Sequence, residues 1–487
     1  MDLISQEALE AVHQASLQVL GETGIMVKDE KAREAFEQAG AKVNHDRQIV
    51  KIPNGLVEKS IETAPFEVTL FGKERSRLDF GSGQVRFING FGTVNIYEWQ
   101  TKKKRKATKK DLIHLVRVVE QMDQATIVWP EIYPQDVPEK MIELHIAQAM
   151  VENTEKHCML TCYNPDSIQN LIEIGKAACG GNLKSLQKKP IISIGICVTS
   201  PLVLDEVVAP SLVRCAETGL PIVLGSLAQA GATAPATLSG TLVTQNAELL
   251  GGLTLCQIVR PGNAFIWNDY ASVMDQQYGG FVSSGPEMAQ LVAATAQLAR
   301  FYKLPQIGTA GATDSNTLDI RAGYEKALTI LFTAMSGAEA IHGAVSGWVE
   351  GLLTTCLEQI VVSNEICSFV SRLLRRFDTS SDGLALDVIN EVGPGGNFLA
   401  NEHTYKYFKE EQWFPTLGQR IPSSQWQAAG ANGVLDSAVE HVERILSNKP
   451  PSYISEDATG AIQEIIKKAE SISQKGVKRI DALGSGF

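Results

Sequence analysis

From about residue 85 onward, short apolar runs bounded by Gly, Pro or polar residues recur every ~30 to 40 positions, with helical spacing of apolar residues between them. The runs predict eight strands, at 85–89, 125–129, 158–161, 191–197, 222–225, 264–267, 306–309 and 338–342. Helices are predicted near 109–122, 139–153, 166–178, 204–217, 236–259, 286–302, 318–335 and 350–375, several with a proline at the start, as at Pro165, Pro235 and Pro286. Eight such βα units predict an α/β fold of the (β/α)8 TIM-barrel class. An open doubly wound sheet is the second choice, disfavoured because no GxGxxG follows the first strand and no P-loop occurs.

The rhythm divides the chain into an N-terminal α+β cap (1–84), the barrel (85–376) and a C-terminal extension packed on it (377–487). The cap reads as helices near 5–22 and 29–40, strands around 48–52 and 66–71, and glycine turns at 72 and 81–83. In the extension, 391–420 is rich in glycine and aromatics, and helices are expected near 434–446 and 456–473.

Composition narrows the classes. With 44 basic and 55 acidic residues the net charge is −11, against a nucleic-acid footprint and against attraction to anionic membranes. The exception is Lys102 to Lys106 with Lys109 and Lys110, expected on an exposed hairpin before a helix that Thr108 caps with Asp111 at its third position. The first twenty residues form an amphipathic acidic helix instead of a signal peptide, and no run of about 18 apolar residues marks a membrane span, so a cytoplasmic protein is expected. Eight cysteines scattered through apolar segments, with no CxxC, read as reduced core thiols.

Chemistry on such a barrel gathers past the C-terminal ends of the strands. Those positions hold Phe91 and Tyr97; Trp129, Glu131 and Tyr133; Thr161 and Tyr163; Thr199 and Ser200; Gly225, Ser226 and Gln229; Trp267, Asn268, Asp269 and Tyr270; Gly311, Thr313 and Asp314; then His342 and Trp348. No set of three or four metal ligands converges; His157, Cys158 and Cys162 are read as core, and no GxSxG supplies a serine nucleophile. A wall of Trp and Tyr suits a cation that cannot donate hydrogen bonds, a quaternary ammonium, each ring face contributing about 0.5–2 kcal/mol when water is excluded. Two other classes stay open: a metal-free lyase or isomerase with Asp269 or Asp314 as base, and a cation-binding module without catalysis.

Four stretches carry a resemblance: QAGATAPATLSGTLVTQNAELLGG at 229–252, GTAGATDSNTLDIRAGYEKALT at 308–329, GAEAIHGAVSGWVEGLLT at 337–354 and GPGGNFLANEHTYKYF at 393–408. In order and spacing the chain resembles the trimethylamine methyltransferase family over its whole length. The resemblance implies a (β/α)8 barrel and transfer of a methyl group from a methylated amine to the cobalt of a separate corrinoid protein. Trimethylamine members carry pyrrolysine, whereas this chain has a standard residue at every position. It therefore resembles the non-pyrrolysine branch and its glycine betaine:corrinoid protein methyltransferase, with proline betaine, carnitine or butyrobetaine as alternative substrates. No catalytic acid or base is expected, because the leaving group is a neutral tertiary amine. No cofactor or metal is expected on this chain, the corrinoid, as cob(I)alamin, coming with the partner. The expected substrate-binding residues are Phe91, Tyr97, Trp129, Tyr133, Tyr163, Trp267 and Trp348, with His342, Asn268, Gln229 and the N–H groups of Gly395 and Gly396 as donors to a substrate carboxylate. A homo-oligomer is compatible with the sequence.

Overall fold

Eight parallel strands close on one another in chain order: β1 Arg86–Ile88, β2 Ala125–Val128, β3 His157–Thr161, β4 Ile192–Val198, β5 Ile222–Ser226, β6 Phe265–Asp269, β7 Gln306–Thr309 and β8 Ala340–His342, with β8 paired back to β1. The computed structural model describes residues 2–74 and 76–484, with side chains to residue 472. Around the barrel run α1 Lys109–Glu120, α2 Ile142–Asn153, α3 Ile168–Ala178, α4 Val208–Thr218, α5 Leu238–Val259, α6 Pro286–Tyr302, α7 Ile320–Met335 and α8 Leu357–Leu374. The (β/α)8 barrel expected from the sequence is thus present.

Alternation along each strand decides what faces the lumen. In β6, Ile266 points inward with Ile88, Ile127, Met159, Val223 and Ile307, whereas Phe265 and Trp267 point outward into the helix-facing core. The helices begin where local chemistry predicts: Thr108 and Asp111 form a full capping box at α1, and Pro286 occupies the first turn of α6. Helix α5 is buried along most of its length because the cap helices Gln6–Gln18 and Asn54–Thr63 cover its outer side.

The eighth helix starts later than its expected position at 350. Glu350, Gly351 and Leu352 all have φ between 55° and 72°, which a right-handed helix cannot accept. Residues 348–355 form instead a hairpin, Trp348–Val349 against Thr354–Thr355, which joins Asn95–Glu98 and Lys103–Lys106 in a four-stranded sheet. The basic run lies there as an exposed edge strand, as expected.

The two ends of the barrel are finished differently. At the N-terminal end the hairpin Val68–Phe71/Arg77–Phe80 seals the lumen, burying Val68, Leu70, Leu78 and Phe80 against the inward strand residues. In the C-terminal extension, Val434–Ser447 packs on α8 and α1, and the helix Glu456–Gly484 packs on α3 and α2. Between them the chain runs outward: from Ser371 to Ser437, Leu417 alone is buried. No described helix is long and apolar enough to cross a membrane.

Candidate functional site

At the C-terminal mouth four rings meet around His342, the last residue of β8. Its imidazole centroid lies 4.4 Å from Trp129, 5.0 Å from Trp348, 5.2 Å from Phe91 and 5.5 Å from Tyr270. Each ring arrives on a different strand end: Phe91 past β1, Trp129 past β2, Tyr270 past β6, Trp348 past β8. Glycines make room for them. A Cβ at Gly90 would stand 2.6 Å from Trp348 Nε1, and one at Gly343 would stand 2.9 Å from its Cε3. Gly343 also has φ of 86°, a region where an L side chain is strained.

His342 is fully buried, yet neither ring nitrogen has a hydrogen-bond partner. Burial pushes its pKa down to about 3, so the ring is neutral at ordinary pH and does not repel a cation. It keeps one N–H to donate. Asn268 stands nearby on β6; its amide donates to Tyr270 Oη at 2.6 Å, and its carbonyl oxygen is unpartnered.

Beside the ring cluster opens a cavity of about 560 Å³ lined by Gly92, Tyr133, Gln135, Glu143, Tyr163 and Asn164. The Tyr133 hydroxyl lies 3.3 Å from that of Tyr163, and Trp129 Nε1 donates to Thr161 Oγ1 at 2.8 Å. Cys197, inward on β4 near Tyr270, is exposed to solvent although barrel wall surrounds it, and that wall pushes its thiol up to about 12.

A supporting layer holds the rings. Glu131, wholly buried, accepts from Gly347 N at 2.7 Å, from Gly90 N at 3.1 Å and from Thr355 Oγ1, joining the loops after β1, β2 and β8. Trp348 Nε1 donates to Phe91 O at 3.1 Å, and Asn89 pairs with both backbone groups of Trp129. Lys326 of α7 reaches Gly311 O and Ser346 from behind. Burial raises Glu131 and lowers Lys326 to about 8, each charge opposing the shift of the other.

The expected site residues separate into two groups. Phe91, Trp129, His342 and Trp348 come together, Asn268 stands beside them, and Tyr133 and Tyr163 line the adjoining cavity. The others lie elsewhere. Trp267 points outward and stacks on Tyr302 at 5.3 Å, because Ile266 takes the lumen side of β6. Tyr97 packs on Trp99 in the sheet over the β8 loop, and Gln229 belongs to a two-strand ribbon with Ser272–Val273. Gly395 and Gly396 are exposed in the outward segment, with Val392 the neighbour of Gly396.

Of the two carboxylates that could act as bases, Asp314 is hydrogen-bonded through both oxygens, and Asp269 through one, its Oδ1 being buried without a partner. Asp269 turns to the helix side, accepts from Gln306 at 2.7 Å, and is pushed up to about 8 by burial. Asp314 accepts from Ser283 and Ser284. Cys158 and Cys162 face the helix layer, and His157 lies at the sealed end. Glu143 was not singled out from the sequence. It sits on α2, and only the fold brings it to the cavity, where Oε1 accepts from Asn164 N and Tyr163 N while Oε2 is unpartnered.

The molecule is a (β/α)8 barrel whose C-terminal mouth, where such barrels place their chemistry, holds aromatic rings around a neutral histidine. The model of the trimethylamine methyltransferase (MTTB) family matches residues 1–473, and the chain belongs to that family; it is a methyltransferase. Trimethylamine methyltransferase MttB of Desulfitobacterium hafniense (strain DSM 10664 / DCB-2) is 32% identical over 476 residues, covering 98% of this chain and 95% of its own. Glycine betaine methyltransferase of D. hafniense (strain Y51) is 30% identical over 470 residues, with 96% of each covered. The crystal structure of Methanosarcina barkeri monomethylamine methyltransferase superimposes with a TM-score of 0.52 at 12% identity, over 96% of this chain and 88% of that one, a likeness of fold.

Proposed function

We propose that this chain transfers a methyl group from glycine betaine to the Co(I) corrinoid of a separate corrinoid protein, releasing dimethylglycine. The observation that carries the reading is the set of rings around a neutral, unpartnered His342, with a cavity lined by Tyr133, Tyr163 and Glu143 beside it. A trimethylammonium group presents no N–H and needs ring faces, and the carboxyl of Glu143, its pKa raised by burial, lines the cavity beside them. The carboxylate of betaine needs a donor, which His342 offers without a competing partner. Methylated amines are what both relatives' names specify, and betaine, unlike trimethylamine, uses both halves of this site.

The chemistry asks little acid–base help. Breaking the C–N bond leaves its electron pair on nitrogen as a neutral tertiary amine, and the methyl passes to the cobalt nucleophile of the acceptor. The residues here bind the cation, exclude water and aim one methyl outward, an orientation effect of several kcal/mol. Mixing the protein with cob(I)alamin and glycine betaine should give the methylcobalamin spectrum and one dimethylglycine per methyl moved. Betaine that binds without methylating cobalt, for this or any other quaternary amine, would exclude the proposal.

A further inference from the structure

We propose that residues 376–433 form an arm that embraces a second copy of this chain, its apolar side chains seated in the groove between α6 and α7 of that copy. The arm leaves the barrel after α8 and returns at the helix Val434–Ser447, so both ends are anchored. Among the described residues it is held to its own barrel around 410–418, where Arg375 reaches Glu410 O, Trp413 packs on Phe369 at 5.0 Å and Leu417 N donates to Glu365. Beyond that stretch it carries short helices, Ser381–Leu384, Leu386–Val392, Glu402–Glu411 and Ser423–Ala428, none with a buried residue.

Helices this short are not stable in water without tertiary packing. The arm nonetheless presents Phe377 at 95% exposure, Leu399 at 89% and Tyr405 at 82%, with Leu386, Ile389 and Phe414 at half or more. These side chains and their neighbours offer roughly 1,000 Å² per arm, so a reciprocal pair reaches the size of a stable interface.

The barrel carries a matching surface. On α7, Ile320, Tyr324 and Leu328 follow at four-residue spacing on one face, exposed by 88, 52 and 62%. Between this face and α6 lies a groove of about 470 Å³ whose walls include Ala289, Tyr324, Leu328 and Phe332. Arm and groove belong to one sequence and are both uncovered, which is the arrangement of a mutual exchange between two copies. A carrier that leaves after each turnover does not suit the arm, because transient contacts are small and polar whereas this surface needs permanent cover.

Light scattering on the full chain tests the proposal. The wild type should have at least twice the monomer mass. Leu399→Asp with Tyr405→Asp in the arm, and separately Tyr324→Asp with Leu328→Asp in the groove, should each give a monomer with the wild-type far-UV dichroism. Mixing the two variants should restore a dimer, since one intact arm then meets one intact groove. Hydrogen exchange on the wild type needs no substitution: amides of 320–332 should be slow at high concentration and faster on dilution. A monomeric wild type, a groove variant that stays oligomeric, or exchange in α7 that ignores dilution would overturn the assignment.

Discussion

Two histidines stand inside the same barrel, both fully buried, at opposite ends. His157 at the sealed end has every nitrogen answered: Nδ1 lies 3.1 Å from Phe71 O and 3.2 Å from Pro190 O, and Nε2 lies 2.9 Å from Ser193 Oγ. His342 at the open end has none. Burial pushes both down, to about 4 and about 3, so charge does not distinguish them. Partnership does. A buried polar group that the fold leaves unsatisfied costs stability, and such groups persist where a ligand completes them. The sealed end is satisfied within the fold, and the open end is the candidate site.

The largest effect should come from the outward ring. Trp267→Ala removes a core side chain stacked on Tyr302, and urea unfolding should show a loss of about 3–5 kcal/mol, with betaine affinity unchanged in the folded protein. A weakened affinity would return Trp267 to the site. The same substitution at the two histidines sharpens the contrast. His157→Phe strands Ser193 Oγ and removes the imidazole from Phe71 O and from Pro190 O, the latter still held by Phe71 N, and should cost about 3 kcal/mol of stability without affecting binding. His342→Phe strands nothing, so stability should hold within about 1 kcal/mol while calorimetry shows betaine affinity falling roughly 10- to 100-fold. Exchange of these two outcomes would reverse the roles assigned to the ends.

Burial raises the Glu143 pKa, so Glu143→Gln should raise the betaine KM by about 5- to 10-fold where the carboxyl is ionised and little where it is protonated, a pH dependence that a role confined to its bonds with Tyr163 N and Asn164 N would not produce.

The smallest effect is on pH. Both folded histidines have pKa values below the unfolded value of 6.5, so the unfolded chain binds protons first as pH falls. The stabilisation is fully present above pH 6.5 and is lost below it, by roughly 1 kcal/mol per histidine near pH 5.5. His157→Phe should flatten that slope in urea melts. Transfer itself should show no inflection near 6.5, and finding one would make His342 a titrating group.

Much of this was legible in sequence, for physical reasons. Apolar runs between Gly and Pro boundaries mark strands that the helices bury, and all eight lie where that pattern put them. Phe91, Trp129, His342 and Trp348 were legible because chemistry follows strand ends. Trp267 was expected at the mouth, but period two places it elsewhere: with Ile266 inward, its neighbour must face out. Glu143 and the late start of α8 depend on long-range packing and on positive φ at 350–352, and no local pattern announces them. The chain's departure from the barrel rhythm after 377 was visible, but the exposure of the arm was not, since its composition reads like any packed extension.

The central claim is that rings at the open end bind a positive charge rather than a shape. Glycine betaine and 3,3-dimethylbutanoate share a carboxylate and three methyls, and differ by a cationic nitrogen in place of carbon. Titration calorimetry with both should show betaine binding at least about tenfold tighter, from two or three ring faces at 0.5–2 kcal/mol each. Equal affinity for the carbon isostere, which lacks the positive charge, would contradict the account.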